Sequence, residues 1–196
     1  GLDGNGIPYD TSSYSFSTIG PADTLTSMPV LMAGLSAADS VYFSFYYQPG
    51  GLGDVPNNQT FNLFNYGVNF GDSLVLEFKD NTGSWHSAWQ QDGSAVHPFK
   101  QVMINVKSSV YFHDDFQFRF RNYASLIGNY DQWHIDYVRL NAGRSKFDTL
   151  ITDVAIQLYP TSLLQTYQAM PWKQFQNYQE KEIAEKHLLA IKNNFN

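Results

Sequence analysis

The segment Phe116-Gln117-Phe118-Arg119-Phe120-Arg121 puts a phenylalanine at every other position and a polar or charged residue between each pair. Successive side chains of a β-strand point to opposite faces, so this period of two describes a strand with one buried and one solvated face. A helix, with its period of 3.6, would scatter the three rings. Phe116, Phe118 and Phe120 are therefore expected in a core. After a loop of about a dozen residues, Asn122 to Gln132, the chain continues as Trp133-His134-Ile135-Asp136-Tyr137-Val138-Arg139-Leu140, a second strand. Asp136 lies there among aromatic and β-branched residues, where an unpaired carboxylate is costly to bury. Arg119, Arg121 or backbone amides are its expected partners.

Other stretches repeat the strand pattern. Val41 to Gln48 (VYFSFYYQ) is apolar or aromatic on both faces, which suits the middle of a sheet. Asp72 to Lys79 alternates with Leu74, Leu76 and Phe78 inward, and Asp80-Asn81-Thr82-Gly83 turns the chain into Trp85 to Trp89 as a hairpin. Met28 to Met32, Phe99 to Val106, Val110 to Phe112 and Leu150 to Leu158 read as further strands. Residues 1 to 29 otherwise read as irregular structure or short edge strands, with a plain turn at Asp3-Gly4-Asn5-Gly6. The run from Pro49 to Phe70 is too long for a hairpin turn and, with its Asn and aromatic residues, is expected to pack as an ordered loop.

After Pro160 the lettering changes. Ser162 to Tyr167 suits one helical turn, and Lys173 to Lys192 sets Phe175, Tyr178, Ile183, Leu188, Leu189 and Ile191 among Gln, Glu and Lys, a helical pattern. Many strands at even spacing without strand-helix alternation predict an all-β fold: an antiparallel β-sandwich of jelly-roll type over 1–160, with a C-terminal helical or linker tail over 161–196 leading to a following domain.

The 13 Tyr and 15 Phe make a large core easy to build. Only 15% of residues are charged and the net charge is -6, so nothing offers a broad basic field to a phosphate backbone; nucleic acid is not an expected partner. No apolar run is long enough to insert in a membrane as a helix. The chain has no cysteine, which excludes disulfides and thiolate chemistry. Its abrupt start at GLDGNGIPY suggests a processed or excised piece.

The succession VYFSFYYQPGGLGD, GDSLVLEF and FQFRFRNYASLIGNYDQWHIDYVRLN resembles the jelly-roll module of large secreted proteins of Bacteroidota, many of which end in a type IX secretion sorting domain. It is similar, more distantly, to MAM domains, whose strand patterns match Val41 to Tyr47, Ser73 to Phe78 and His134 to Val138. The likeness covers about residues 20 to 141. The segment ITDVAIQLYPTSLLQTYQAMPWKQF resembles the connector of those Bacteroidota proteins, and IKNNF the first strand of a succeeding domain. The missing cysteines mean that the disulfide-based stability of the animal domains does not carry over. The resemblance implies a secreted or cell-surface location and a non-enzymatic binding or adhesion role toward a glycan or protein partner. It also implies that Asp136, with Asp23 and either Asp39 or a backbone carbonyl, holds a structural calcium or sodium ion; oxygen ligands suit calcium.

Tyr123, Tyr130, Trp133 and His134, with Trp85 and Trp89, are candidates for an aromatic platform for a ligand, since such rings combine flat apolar faces with polar tips. The ordinary alternative places the tryptophans in the core. Catalysis has less support. Ser87, His134 and Asp131 form a Ser-His-Asp set on paper only, without a nucleophile elbow. Glu77 is the one Glu before residue 180, which argues against paired glutamates of a glycosidase, and the histidines lack zinc spacing. A carbohydrate-binding accessory domain of a polysaccharide-degrading enzyme and a purely structural spacer remain the alternatives.

Overall fold

The computed structural model describes residues 1–11, 19–57, 71–149, 154–158 and 160–193. The chain divides into two compact units, Gly1–Asp148 and Thr149–Asn196. In the first, the described strands are β1 (Ile19–Thr26), β2 (Tyr42–Pro49), β3 (Ser73–Lys79), β4 (Trp85–Asp92), β5 (Lys100–Asn105), β6 (Phe118–Ser125) and β7 (Trp133–Asn141). They form two antiparallel sheets, in the orders β1-β6-β3-β4 and β5-β2-β7. Among these strands only β3 and β4 are neighbours in both sequence and sheet; elsewhere the chain crosses from one sheet to the other. The unit is an all-β, antiparallel sandwich of jelly-roll type.

The core lies between the sheets and has the expected faces. Phe43 and Phe45 of β2, Leu74, Leu76 and Phe78 of β3, and Phe116 and Phe120 at β6 are all buried. The ring of Phe43 meets Phe118 edge-on at 4.7 Å between centroids, and Phe45 meets Phe120 at 4.9 Å and Trp89 at 5.1 Å in the same manner. Edge-to-face pairs add about 0.5–1.5 kcal/mol each beyond the apolar area they bury. β2 is the central strand of its sheet, as its doubly apolar sequence requires. The hairpin turn is held by Asp80, whose Oδ1 accepts from the backbone of Thr82 (2.8 Å) and Ser84 (2.9 Å) and whose Oδ2 meets His86 Nε2 at 2.6 Å. The Thr82 hydroxyl, which also donates to Oδ1 (2.7 Å), and then His86 and the backbone donors hold the Asp80 carboxyl far below the usual carboxylate range.

The outer face of β3 carries a buried charge. Glu77 stands opposite Arg119 in the register of β3 and β6, and its carboxylate accepts from Arg119 Nε (2.5 Å) and Arg121 Nη2 (3.0 Å). The guanidinium of Arg119 also stacks over the Trp85 ring at 4.2 Å. Arg119 and Arg121 thus neutralise Glu77, not Asp136 as one sequence expectation had it.

Local readings differ from the structure in several places. The Met28–Met32 stretch contributes a single bridge, Val30 to Phe116, and Ser109–Tyr111 is a 3-10 turn. β6 runs on to Ser125, which shortens the loop before β7. The expected ordered loop lies outside the described residues from position 58 to 70. In the second unit β8 (Val154–Ile156) pairs antiparallel with β9 (Ile191–Asn193), so the LITDVAIQL strand belongs there and the division falls ahead of position 160. The helical lettering of Lys173 to Lys192 gives two short helices, α1 (Trp172–Phe175) and α2 (Gln179–Glu182), in place of one long one. At Ile183 the backbone turns extended (φ -70°, ψ 121°) to bridge to Leu164, and that tertiary pairing overrides helix propensity.

Candidate functional site

Among the described strands β1 is at the edge of one sheet and β7 at the edge of the other, and residues of both line a cleft of about 340 Å³. Core side chains Leu74 and Phe120 reach it from within. Asp23, Leu25 and Asn122 line it from the β1-β6 sheet, Trp133, His134 and Ile135 from β7, and Gly51, Leu52 and Gln132 from the adjoining loops.

The loops are held by Gln132. Its carbonyl accepts from Gly50 N (2.8 Å), its Oε1 accepts from Gly53 N (2.9 Å), and its own N–H donates to Asp54 O (3.0 Å). The contact is close enough that a Cβ on Gly51 would lie 2.3 Å from Gln132 Oε1, so only glycine fits there. Before Gln132, Asp131 adopts a left-handed backbone (φ 58°), its Oδ2 accepts from Ser125 N (3.1 Å), and its carbonyl accepts from Asn122 Nδ2 (2.9 Å). The last bond orients the Asn122 amide: the nitrogen is engaged with Asp131, and Oδ1 is the remaining atom.

That atom has no partner. Among the described residues, Asn122 Oδ1 and Trp133 Nε1 are both buried polar atoms without a hydrogen bond, and both residues line the cleft. Trp133 itself packs against the core and tilts against Tyr47 at 6.2 Å. A buried polar atom left unpaired costs about 1–3 kcal/mol. Each atom exposes less than 1 Å², so it is the remaining surface of Trp133 and Asn122 that faces the cleft.

A second buried polar group borders this region. Asp72 and Asp131 are both buried, and Asp72 Oδ2 accepts from Asn57 N at 2.8 Å. Burial is the main cause that raises the Asp72 carboxyl to about 6, and the neighbouring Asp131 and Asp54 carboxylates act in the same direction.

The structure distributes the residues singled out from sequence. Trp133, His134 and Asp23 line the cleft; Tyr123, Tyr130 and Asp136 do not. Tyr123 alternates along β6 with Phe120, Asn122 and Ala124 and so lies on the outer sheet face, while Tyr130 is an exposed loop residue. Trp89 packs on the core and Trp85 on Arg119, so the two do not join Trp133 in a platform. Asp136 is exposed, which corrects the premise that its carboxylate is buried: β7 is an edge strand, and a bulge opposite Phe45, with Tyr137 at φ 48°, interrupts its pairing with β2. Asp136 Oδ1 accepts from Tyr137 N at 2.7 Å. Asp39 caps a 3-10 turn by accepting from Ser36 N at 2.8 Å. Among the described residues no three or more His, Asp or Glu side chains form a group arranged to hold a metal, and no helix is long and apolar enough to cross a membrane. Asn122, Gln132 and Asp72 were not legible as site residues, because their roles depend on partners far away in sequence.

No protein-family model, curated protein or solved structure matches this chain.

Proposed function

We propose that this chain is a non-enzymatic binding module of a secreted or surface-displayed bacterial protein, of the kind that its resemblance to Bacteroidota and MAM-like jelly-roll modules implies, and that it engages a glycan or protein through the cleft between β1 and β7. The observation that carries this reading is the cleft itself, about 340 Å³, which β1 lines with Asp23 and Leu25 and β7 with Trp133, His134 and Ile135. Binding clefts commonly combine apolar walls with a few placed polar groups, and volumes run from about 300 to 1,000 Å³. This cleft falls at the small end of that range, with Leu25, Leu52 and Ile135 as apolar lining and Asp23, Asn122, Gln132, Trp133 and His134 as polar lining. Its frame is rigid, since the loop at Gly50 to Asp54 and the start of β7 are tied through Gln132. A preorganised site loses little freedom on binding.

The test is an array carrying both glycans and extracellular proteins, probed with the chain and with its Trp133→Ala variant. At least one spot retained by the parent chain and lost by the variant is expected. An array on which no spot of either class depends on Trp133 contradicts the reading.

A further inference from the structure

We infer that Asp72 is a proton-operated clasp: as a neutral acid it fastens the loop 50–57 to the start of β3, and on ionising it releases that loop and with it one wall of the cleft. The clasp belongs to the frame and goes beyond the binding-module reading, since it does not depend on what the cleft holds. Asp72 and Asn57 are joined twice, by Asp72 N donating to Asn57 O (3.0 Å) and by Asn57 N donating to Asp72 Oδ2 (2.8 Å). The Asp72 carbonyl in turn accepts from Gly93 N (2.7 Å), and a Cβ on Gly93 would lie 2.7 Å from the backbone of Pro56 and Asn57, so this end of the loop lies against both β3 and the exit of β4. From Asn57 the loop runs back through Asp54, whose carbonyl accepts from Gln132 N (3.0 Å), to Leu52 and Gly51, which line the cleft.

The carboxyl that makes the clasp is buried among acids. Asp131, in the loop before β7, is buried as well, and the two side chains hydrogen-bond to each other, which requires a proton between them. Asp54 adds a negative charge from the loop itself, and the exposed Asp92 stands beside Gly93 at the end of β4. The Gly1 ammonium acts on Asp131 and on Asp23 of β1. Among the described residues no Lys, Arg or His forms an ion pair with Asp72, and the rest of the chain contains none of the three. Removing the proton therefore leaves adjoining buried carboxylates without a cation between them. The strain is relieved where the least structure must open. Gly51, Leu52, Asp54 and Asn57 are exposed, so the loop can swing out and admit water while the strands stay paired. Burial is the main cause that raises the Asp72 carboxyl, to about 6, so the clasp is closed below roughly pH 5 and released above roughly pH 7.

The experiment is amide hydrogen exchange on the whole chain at pH 5 and pH 7.5, with each rate divided by its intrinsic value. The reporters are the amides of Gly53 and Asn57, which donate to Gln132 Oε1 and Asp72 Oδ2. Their protection is expected to fall about tenfold or more between the two pH values, and at both it should stay below that of Phe43 and Phe45 in β2. Asp72→Asn keeps an oxygen for the Asn57 amide and cannot ionise, so in that variant the protection of Gly53 and Asn57 should be the same at both pH values. A measurement that needs no variant accompanies this: the carbon-13 carboxyl signal of Asp72 should titrate with the same midpoint as the loss of protection. The inference is overturned if the two amides are equally protected at both pH values, if the Asp72→Asn variant loses protection as the parent does, if Gly53 and Asn57 exchange only together with Phe43 and Phe45, or if the Asp72 carboxyl titrates near pH 4. None of these results bears on the array experiment, and an array without a Trp133-dependent spot leaves the clasp standing.

Discussion

Replacing Asp72 with Asn should make the fold more stable at neutral pH and flatten its dependence on pH between about 4 and 6. Asp72 is 4% exposed, and burial together with Asp131 and Asp54 raises its carboxyl from 3.8 to about 6. The folded state therefore holds this proton more tightly than the unfolded chain does. The stability linked to it is fully present below pH 3.8 and is lost as pH rises through 6, where the folded protein must ionise a buried acid. A separation of roughly two pKa units corresponds to on the order of 3 kcal/mol. Asn keeps an oxygen for the Asn57 amide and carries no charge, so the variant should avoid most of that loss at pH 7. At about 2–4 °C per kcal/mol for a domain of this size, its melting temperature should exceed the parent's by several degrees at pH 7 and match it near pH 4. Thermal melts from pH 4 to 8, followed by near-ultraviolet circular dichroism, measure this directly. A parent chain equally stable at pH 4 and pH 7, or an Asp72→Asn variant that is weaker at both, would refute the reasoning.

Further expectations concern packing and the frame of the cleft. Phe43→Ala removes a fully buried ring that meets Phe78 and Phe118, and should cost about 3–5 kcal/mol in urea unfolding. Glu77→Gln leaves Arg119 and Arg121 facing each other across a neutral amide; it should cost about 1–3 kcal/mol, and high salt should narrow the gap from the parent. Gly51→Ala drives a Cβ into Gln132 Oε1 and should cost about 1–3 kcal/mol while weakening binding in the cleft, as read by the same unfolding curve and by ligand titration.

Much of the sandwich was legible because strands announce themselves by alternation. Phe116-Phe118-Phe120 and Leu74-Leu76-Phe78 face inward as their period requires, and Asp80 to Gly83 turns the hairpin. Edge strands escape this logic. Asp136 looks buried when its neighbours are read as letters, yet among the described residues β7 has a strand on one side only and a bulge within it, and the carboxylate reaches solvent. The charged tail misled for a related reason: helical lettering from Lys173 onward yields to the pairing of Ile183 with Leu164, a contact that no window of sequence contains. Trp133 and His134 were singled out by residue type and Asp23 as an ion ligand through the resemblance; all three line the cleft. Asn122 and Gln132 were not, since one matters through the carbonyl of Asp131 and the other through backbone groups of the loop at Gly50 to Asp54.

The four tryptophans give one measurement direct access to the proposed cleft. In a nitrogen-15 correlation spectrum each indole N–H is a separate signal, and only Trp133 among them has a buried Nε1 without a partner next to the cleft. Titration with a ligand that the array identifies should shift the Trp133 indole signal strongly and in proportion to occupancy, while Trp85, Trp89 and Trp172 stay in place. A ligand that binds and moves the signal of Trp85 or Trp172 while leaving that of Trp133 unchanged would contradict the account.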